Sequence, residues 1–224
     1  RAYVLELPMK YAYWLTNIQG FGDQKCHCYA KDYFGAKRLY EMSENEWKTV
    51  AQVKEQDIVR LRESKKKWNL NAEWEKFLTK ETHFITRYDA LFPSRLLHLE
   101  IVPFALYYKG ELPPEDSFQV AIVGARMCTN YGKTIAGEIG KFCAHQKVGV
   151  ISGLARGIDT AAQGGALKAG GNSYGILGGG VNVIYPPENK RIYQEVSKSG
   201  ALISQYPPDY VPRAQCFTYR NRII

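Results

Sequence analysis

Between Val120 and Asp159 the chain reads VAIVGARMCTNYGKTIAGEIGKFCAHQKVGVISGLARGID, two short apolar runs that each close in a glycine-bearing turn with an arginine. Val120–Val123 and Val148–Ile151 have the length and β-branching of buried strands, and Ile135, Ile139, Phe142 and Cys143 between them recur at helical spacing. A strand–helix–strand unit of this kind pairs its strands in parallel. Both strand C-termini then emerge on one edge of the sheet, where open α/β sheets bind their ligands. The pattern predicts that Gly124, Ala125 and Arg126 face the same crevice as Ser152, Gly153 and Arg156.

The rest of the chain is arranged around this unit. Residues 1–78 are rich in helix formers, with Trp47, Val50, Val53, Ile58, Leu61, Trp68, Trp74 and Phe77 marking apolar helix faces, and are read as a small helical domain. Tyr11–Ile18 and Gln24–Phe34 are expected helices, joined by a turn at Gln19–Gly22 that resembles a helix-hairpin-helix connection. We read its glycines as permitting a sharp packed turn rather than as holding phosphate. Residues 79–224 form the second domain: a lead-in with strand-like His83–Thr86 and Phe104–Tyr108, then the unit above. A small-residue helix follows from Ile158, then a strand at Ser173–Leu177, a Gly178–Gly180 turn, a helix at Asn189–Ser199 and a strand at Ala201–Ser204.

Charge narrows the class of partner. Thirty Lys and Arg against 22 Asp and Glu give a net charge of +8, which favours anionic partners without choosing among nucleic acid, nucleotide and membrane surface. The lysine run Lys65–Lys67 is read as a solvated helix face. Five cysteines without disulfide-like spacing, and no leader or long apolar span, lead us to expect a cytoplasmic protein with no membrane association. Cys26-His27-Cys28 has no second ligand pair, so it is read as helix packing and no metal is expected. The start at Arg1 is read as a trimmed N-terminus.

Two familiar phosphate motifs fail. Gly132-Lys133-Thr134 ends like a Walker A loop, but the required upstream glycine falls on Met127. The G-x-G-x-x-G dinucleotide fingerprint is absent after Val123, and Ser152-Gly153 stands where an acidic residue would bind a ribose. What remains is three glycine-bearing strand ends, two with arginines, on one edge. Backbone N–H groups, helix N-termini and arginine forks together suit a row of phosphates. The competing reading is that the glycines only permit turns and the arginines brace loops against Asp159 or Glu188; the arginines favour anion binding.

Four ordered runs carry a resemblance to a known family. Val120–Arg126, Ser152–Asp159, Leu177–Gly180 with Tyr185-Pro186 and Asn189, and Phe217–Ile224 (FTYRNRII) are similar to the successive signatures of the DNA-processing protein A family, also called DprA or Smf. The lead-in, with Tyr88, Phe92-Pro93, Leu96 and Pro103–Gly110, is similar too, and the N-terminal helices resemble the family's sterile-alpha-motif-like or helix-hairpin-helix domain. The resemblance implies an α/β fold: an extended Rossmann-like, mostly parallel sheet flanked by helices, behind a small all-α domain. It also implies binding of single-stranded DNA in natural transformation, protection of the incoming strand and loading of the RecA recombinase, with no catalytic turnover and no cofactor.

Carried over by motif, Gly124, Arg126, Arg156 and Gly157 become phosphate-site candidates, and Ser152 and Gly153 a backbone anion pocket. Phe217 would stack on a base, and Arg220, Asn221 and Arg222 would hold the neighbouring backbone or fix the loop; Lys190 and Arg213 are secondary candidates. Stacking on one aromatic is typically worth about 1–3 kcal/mol and tolerates any base. The chain departs from the family pattern at Ala125 (commonly serine), Gln163 (commonly histidine) and Gln205 (commonly glutamate). The family's sheet continues past the Arg-Asn-Arg run with two further strands and a self-association surface. The sequence is therefore expected to be a fragment of a protein that forms a homodimer, and one sheet edge is expected to be unpaired with its apolar face partly uncovered.

The alternative class is an enzyme: a nucleotide-binding phosphoribohydrolase of the lysine-decarboxylase-like group. It would need a carboxylate at the ribosyl bond, and Asp159 and Glu188 are the motif-adjacent candidates. A third reading makes the helices a protein-interaction module and the sheet only scaffold.

Overall fold

The structure, a computed structural model, describes residues 3–224, so the Arg1 start lies outside the described residues. Six helices come first: α1 (Tyr3–Thr16), α2 (Asp23–Tyr29), α3 (Gly35–Glu41), α4 (Glu44–Thr49), α5 (Glu55–Lys67) and α6 (Leu70–Leu78). The expected single helix over 24–34 is broken, because Asp32 caps a turn by accepting from the Phe34 N–H at 2.9 Å before α3 begins. Strands β1 (His83–Thr86), β2 (Ala105–Gly110) and β3 (Gln119–Ala121) follow, then α7 (Asn130–His145), β4 (Gly149–Ser152), α8 (Ile158–Lys168), β5 (Ser173–Ile176), α9 (Lys190–Ser199), β6 (Ala201–Ser204) and α10 (Ala214–Arg220).

Compactness divides the chain into two units: 1–92 with 97–106, and 93–96 with 107–224. In the first, Trp14, Leu15, Leu39, Ile58 and Leu61 are fully buried. The Gln19–Gly22 connection is a packed turn: Gly20 takes φ +84°, and Ile18 and Phe21 on either side are buried. Its most demanding polar group is Asp57, wholly buried, which accepts from Lys25 Nζ at 2.6 Å, Arg60 at 2.8 Å and the Tyr29 hydroxyl at 2.9 Å. Burial alone would raise this carboxyl, but those three donors override it and hold it below the ordinary aspartate value. In the same unit Cys26 is buried and the His27 ring meets the Val102 carbonyl at 2.8 Å.

The strands run in the order β1-β2-β6-β5-β4-β3. Strands β3, β4, β5 and β6 are parallel, with Val120 opposite Val150, Ile151 opposite Tyr174 and Gly175 opposite Leu202. Strand β2 joins β6 antiparallel, Tyr107 opposite Ser204. The mostly parallel sheet flanked by helices, behind helical elements, is the architecture read from the sequence.

Helix α7 forms where its periodicity places it, yet the large residues of that pattern do not make its buried face. Ala136, Gly140 and Cys143 are buried, packed with Ala162 and Ala166 of α8 and Val150 of β4, while Ile135, Ile139 and Phe142 are 40%, 45% and 63% exposed. Small residues let α7 and α8 approach closely, and the bulky side chains are turned outward, as are Val120 of the edge strand β3 and Val123 beyond its end.

Candidate nucleic-acid interface

The loops after β3 and β4 pack backbone against backbone. Gly157, the residue before α8, takes φ +82°, and a Cβ there would fall 2.2 Å from the Ala125 carbonyl oxygen, so both conformation and space require glycine. The Ile158 N–H donates to that same carbonyl at 3.3 Å. The Gly124–Arg126 loop, read from the sequence as sharing one crevice with Ser152–Arg156, thus lies in direct backbone contact with the Gly157–Ile158 end of the second loop.

What fills its floor differs from the expectation. Asp159, in the first turn of α8 and 4% exposed, accepts from the Gly124 N–H at 3.3 Å through one oxygen and from the Gly153 N–H at 3.1 Å through the other. The backbone donors assigned to phosphate are satisfied by the protein's own carboxylate, drawn there by the same N–H geometry and helix terminus that would attract an anion. Ser152 is fully buried and its hydroxyl donates to the Ile122 carbonyl at 2.5 Å, tying the end of β4 to the residue that follows β3. The third glycine end is closed as well: Gly178–Gly180 are buried, with the Gly180 N–H donating to the Tyr210 carbonyl at 2.8 Å and Ser204 Oγ to the Gly179 carbonyl at 2.7 Å. The expected row of three open anion pockets is therefore a sealed framework.

Arg220 belongs to that framework. It is 4% exposed, stacks on Gly153 with its terminal nitrogens 2.5 and 2.6 Å from where a Cβ would lie, and donates to the Gly153 carbonyl at 3.0 Å and to the Ile176 carbonyl. Its Nε donates to Asn221 Oδ1 at 3.2 Å. Burial lowers the guanidinium from its ordinary value, opposed by the Asp159 charge. Of the two roles read for Arg220, the geometry gives loop fixing. Arg222 is similarly engaged, donating to Gln205 Oε1 with its guanidinium 4.3 Å over the Tyr219 ring.

Above this floor the side chains are open to solvent. Arg126 is exposed, no carboxylate pairs with it among the described residues, and its guanidinium lies 5.6 Å from the Phe217 ring centroid. Phe217, on α10 and half-buried, sits over Gly178 and meets the Tyr185 ring at 5.3 Å with the planes 38° apart. Tyr185 is 45% exposed and is held from below by Tyr193, whose hydroxyl donates to the Tyr185 carbonyl at 2.8 Å and whose burial pushes its pKa up to about 12. A cation, a phenyl ring and a phenol thus form one accessible surface. The sequence reading brought Arg126 and Phe217 to it and missed Tyr185, whose signal was an aromatic immediately before Pro186 in a quoted motif.

Arg156 is placed beside the same loops with its side chain 55% exposed, and it pairs with Glu188, itself 52% exposed. That is the bracing role weighed from the sequence. The pair raises the Arg156 pKa and lowers that of Glu188, each chiefly through the shared hydrogen bond. A surface pair of this exposure is screened and readily exchanged for another anion. Lys190 at the start of α9, Arg213 before α10, and Asn221 are exposed, and no ion pair holds Lys190 or Arg213 among the described residues. Of the carboxylates read for ribosyl chemistry, Asp159 has both oxygens engaged by backbone N–H groups, and Glu188 is exposed and paired with Arg156.

With this geometry in place, comparison with known proteins is decisive. Residues 83–224 match the family described as DNA recombination-mediator protein A. The chain belongs to that family. It is 39% identical over 143 residues to Protein Smf of Escherichia coli (strain K12), covering 63% of this chain and 38% of that protein. It is 36% identical over 136 residues to the DNA processing protein DprA of Streptococcus pneumoniae (strain ATCC BAA-255 / R6), covering 61% of this chain and 48% of that one. The chain therefore spans less than half the length of these two relatives. Among solved structures, that of S. pneumoniae DNA processing protein A superposes with a TM-score of 0.76 at 25% identity, over 96% of this chain and 73% of the other. DNA processing protein A from Helicobacter pylori, described for its single-stranded DNA binding mode, gives 0.58 at 28% identity over 64% of each chain.

Membership gives the departures from the family's pattern physical addresses. Gln163 is fully buried: its Oε1 accepts from the Leu154 N–H at 3.2 Å, and its Nε2 donates to Ser173 Oγ at 3.1 Å and the Tyr174 carbonyl at 3.2 Å. It thereby holds Leu154, which carries φ +52° between Gly153 and Arg156. Gln205 accepts from Arg222, while its own Nε2 is buried without a hydrogen-bond partner. A glutamate at that position would meet Arg222 with a full charge and leave no orphaned donor. Ala125 is exposed, and its carbonyl is the acceptor for Ile158.

Proposed function

We propose that this chain is a single-stranded DNA-binding protein of DNA uptake and recombination, acting in the cytoplasm as a binder rather than a catalyst. In this reading the full-length protein is a homodimer that protects the incoming strand and helps load RecA for homologous recombination. The observation that carries the DNA contact is the accessible surface of Arg126, Phe217 and Tyr185, a phosphate fork beside two aromatic faces with no built-in counter-charge on Arg126 among the described residues. The relatives support it: the H. pylori protein is described as binding single-stranded DNA, and the family as a recombination mediator.

In the proposed complex a base lies against Phe217 and Tyr185, and its phosphate against Arg126. Neighbouring phosphates reach Arg156, Lys190 and Arg213, with Arg156 exchanging Glu188 for the strand. Gly124, Ser152, Gly153, Gly157, Arg220, Asn221 and Arg222 shape the platform. The reading is tested by polythymidylate binding at two salt concentrations. Each phosphate contact on a single strand contributes roughly 0.7 to the log–log salt slope, so three or four contacts give a slope near −2 to −3. Affinity that stays flat with salt rejects it.

A further inference from the structure

The helical unit contains a cleft of about 520 Å³ between α1, α3, the end of α5 and the turn into α6. Its lysines come from two places. Lys10 reaches in from α1 and donates to Asn71 Oδ1 at 2.8 Å. The others are the run Lys65–Lys67, read from the sequence as a solvated face, and for Lys65 the structure corrects that reading. Its Nζ donates to the Tyr40 carbonyl at 2.6 Å and lies 4.8 Å over the Tyr40 ring and 5.3 Å over the Trp47 ring. Burial holds this ammonium below the ordinary lysine value.

Lys66 and Lys67 line the cleft with side chains 67% and 80% exposed, and Glu63 stands 3.8 and 3.9 Å from them, at the outer limit of ion pairing. Among the described residues lining the cleft there is no aspartate or glutamate. Four ammonium groups therefore gather at one concavity against two nearby carboxylates, Glu63 beside Lys66 and Lys67 and Glu41 near Tyr11, and the surplus positive charge favours an anion. The walls add a second chemistry. Tyr11 and Tyr40 meet with ring centroids 5.3 Å apart, and Trp68 closes the far side with its indole Nε1 buried and lacking a hydrogen-bond partner. Inorganic phosphate or a run of acidic side chains would satisfy the lysines and leave the aromatic faces uncovered. A nucleotide unit satisfies both, because it joins a phosphate to a flat base, and the volume lies within the usual range of small-ligand clefts.

We propose that this cleft binds a nucleotide unit, phosphate on the lysines and base against the aromatic wall, as a second contact for single-stranded nucleic acid remote in sequence from the sheet edge. The choice of a strand over a free nucleotide rests on the function proposed above; the chemistry of the cleft does not.

The test uses the whole chain carrying Lys66→Glu with Lys67→Glu, two exposed positions whose thermal transition should match the parent. Oligothymidylate affinity should fall about tenfold, and the log–log salt slope should shrink by about 1.4 for two lost contacts. The same loss should persist in an Arg126→Ala background, while reversing Lys37 and Lys48 on the same unit should change affinity less than twofold. A strand carrying 4-thiothymidine should cross-link to Tyr11 or Trp68. Competition by thymidine monophosphate but not by the oligonucleotide would assign the cleft to free nucleotide. Unchanged affinity and slope, equal competition by polyglutamate, or no cross-link at Tyr11 or within 65–71 overturns the proposal. If Arg126→Ala has no effect while the lysine reversals do, the sheet-edge reading fails and the cleft stands.

Discussion

Arg220 and Arg126 come to the same sheet edge from different elements, and they are used in opposite ways. Arg220 is 4% exposed and donates to carbonyls at the ends of β4 and β5, whereas Arg126 is exposed and lies against the Phe217 ring. The same division separates Gly124 and Gly153, whose N–H groups are held by Asp159, from Phe217 and Tyr185, which face outward. A glycine- and arginine-rich edge is thus two layers, an inner one that neutralises itself and an outer one left with cation and aromatic surface. Residue type does not say which layer a residue joins. The presence of an internal counter-group does, and here Asp159 is that group.

The largest expected effect attacks the inner layer. Arg220→Met removes the donors that satisfy two buried carbonyls and leaves Asp159 without its nearby positive charge, which should destabilise the folded chain by roughly 2–4 kcal/mol. Thermal unfolding should show it as a lowered midpoint, with DNA binding lost only in step with folding; an unchanged midpoint would place Arg220 in the outer layer. Phe217→Leu should do the reverse. The side chain keeps its seat over Gly178 and loses its stacking face, so the unfolding midpoint should hold while oligothymidylate affinity drops about tenfold.

Between these, acid unfolding probes the first compact unit at Asp57, which lies outside both the sheet edge and the lining of the lysine cleft and so serves as a control for both. Asp57 has its folded pKa depressed, so its stabilisation is present above the unfolded aspartate value near 4 and is lost as pH falls through the lower folded value. Asp57→Asn should weaken the chain by about 2–3 kcal/mol at neutral pH and flatten the acid limb, without altering the salt slope of DNA binding. The smallest effect concerns Glu188→Gln, which frees Arg156 and should tighten DNA binding about twofold near neutral pH. In the parent the same release should come only in acid, below the ordinary glutamate range, because Arg156 holds the Glu188 carboxyl down.

Much of the fold was legible. Strands β1 and β6 fall on the expected residues, and the strand–helix–strand unit forms because β-branched runs and a helical repeat agree with one another. The burial of α7 was not legible, since periodicity finds a helix without choosing between a large-residue face and a small-residue one. The short α10 was seen only as a motif, its seven residues AQCFTYR carrying little helical preference apart from their packing. For the candidate site, chemistry and resemblance single out Arg126 and Phe217, and the structure places their side chains together. The burial of Arg220 and the clamp at Asp159 could not, because both depend on contacts between residues far apart in sequence.

The central claim, that the outer layer is where the strand lies, is tested most directly by a crystal structure of the chain with a short oligothymidylate. The expected result is a base against Phe217 and Tyr185 and a phosphate within hydrogen-bonding distance of Arg126, with Asp159 still holding the Gly124 and Gly153 N–H groups. A strand bound elsewhere, with Phe217 uncovered and Arg126 in solvent, or a phosphate seated on Gly124 and Gly153 in place of Asp159, would contradict it.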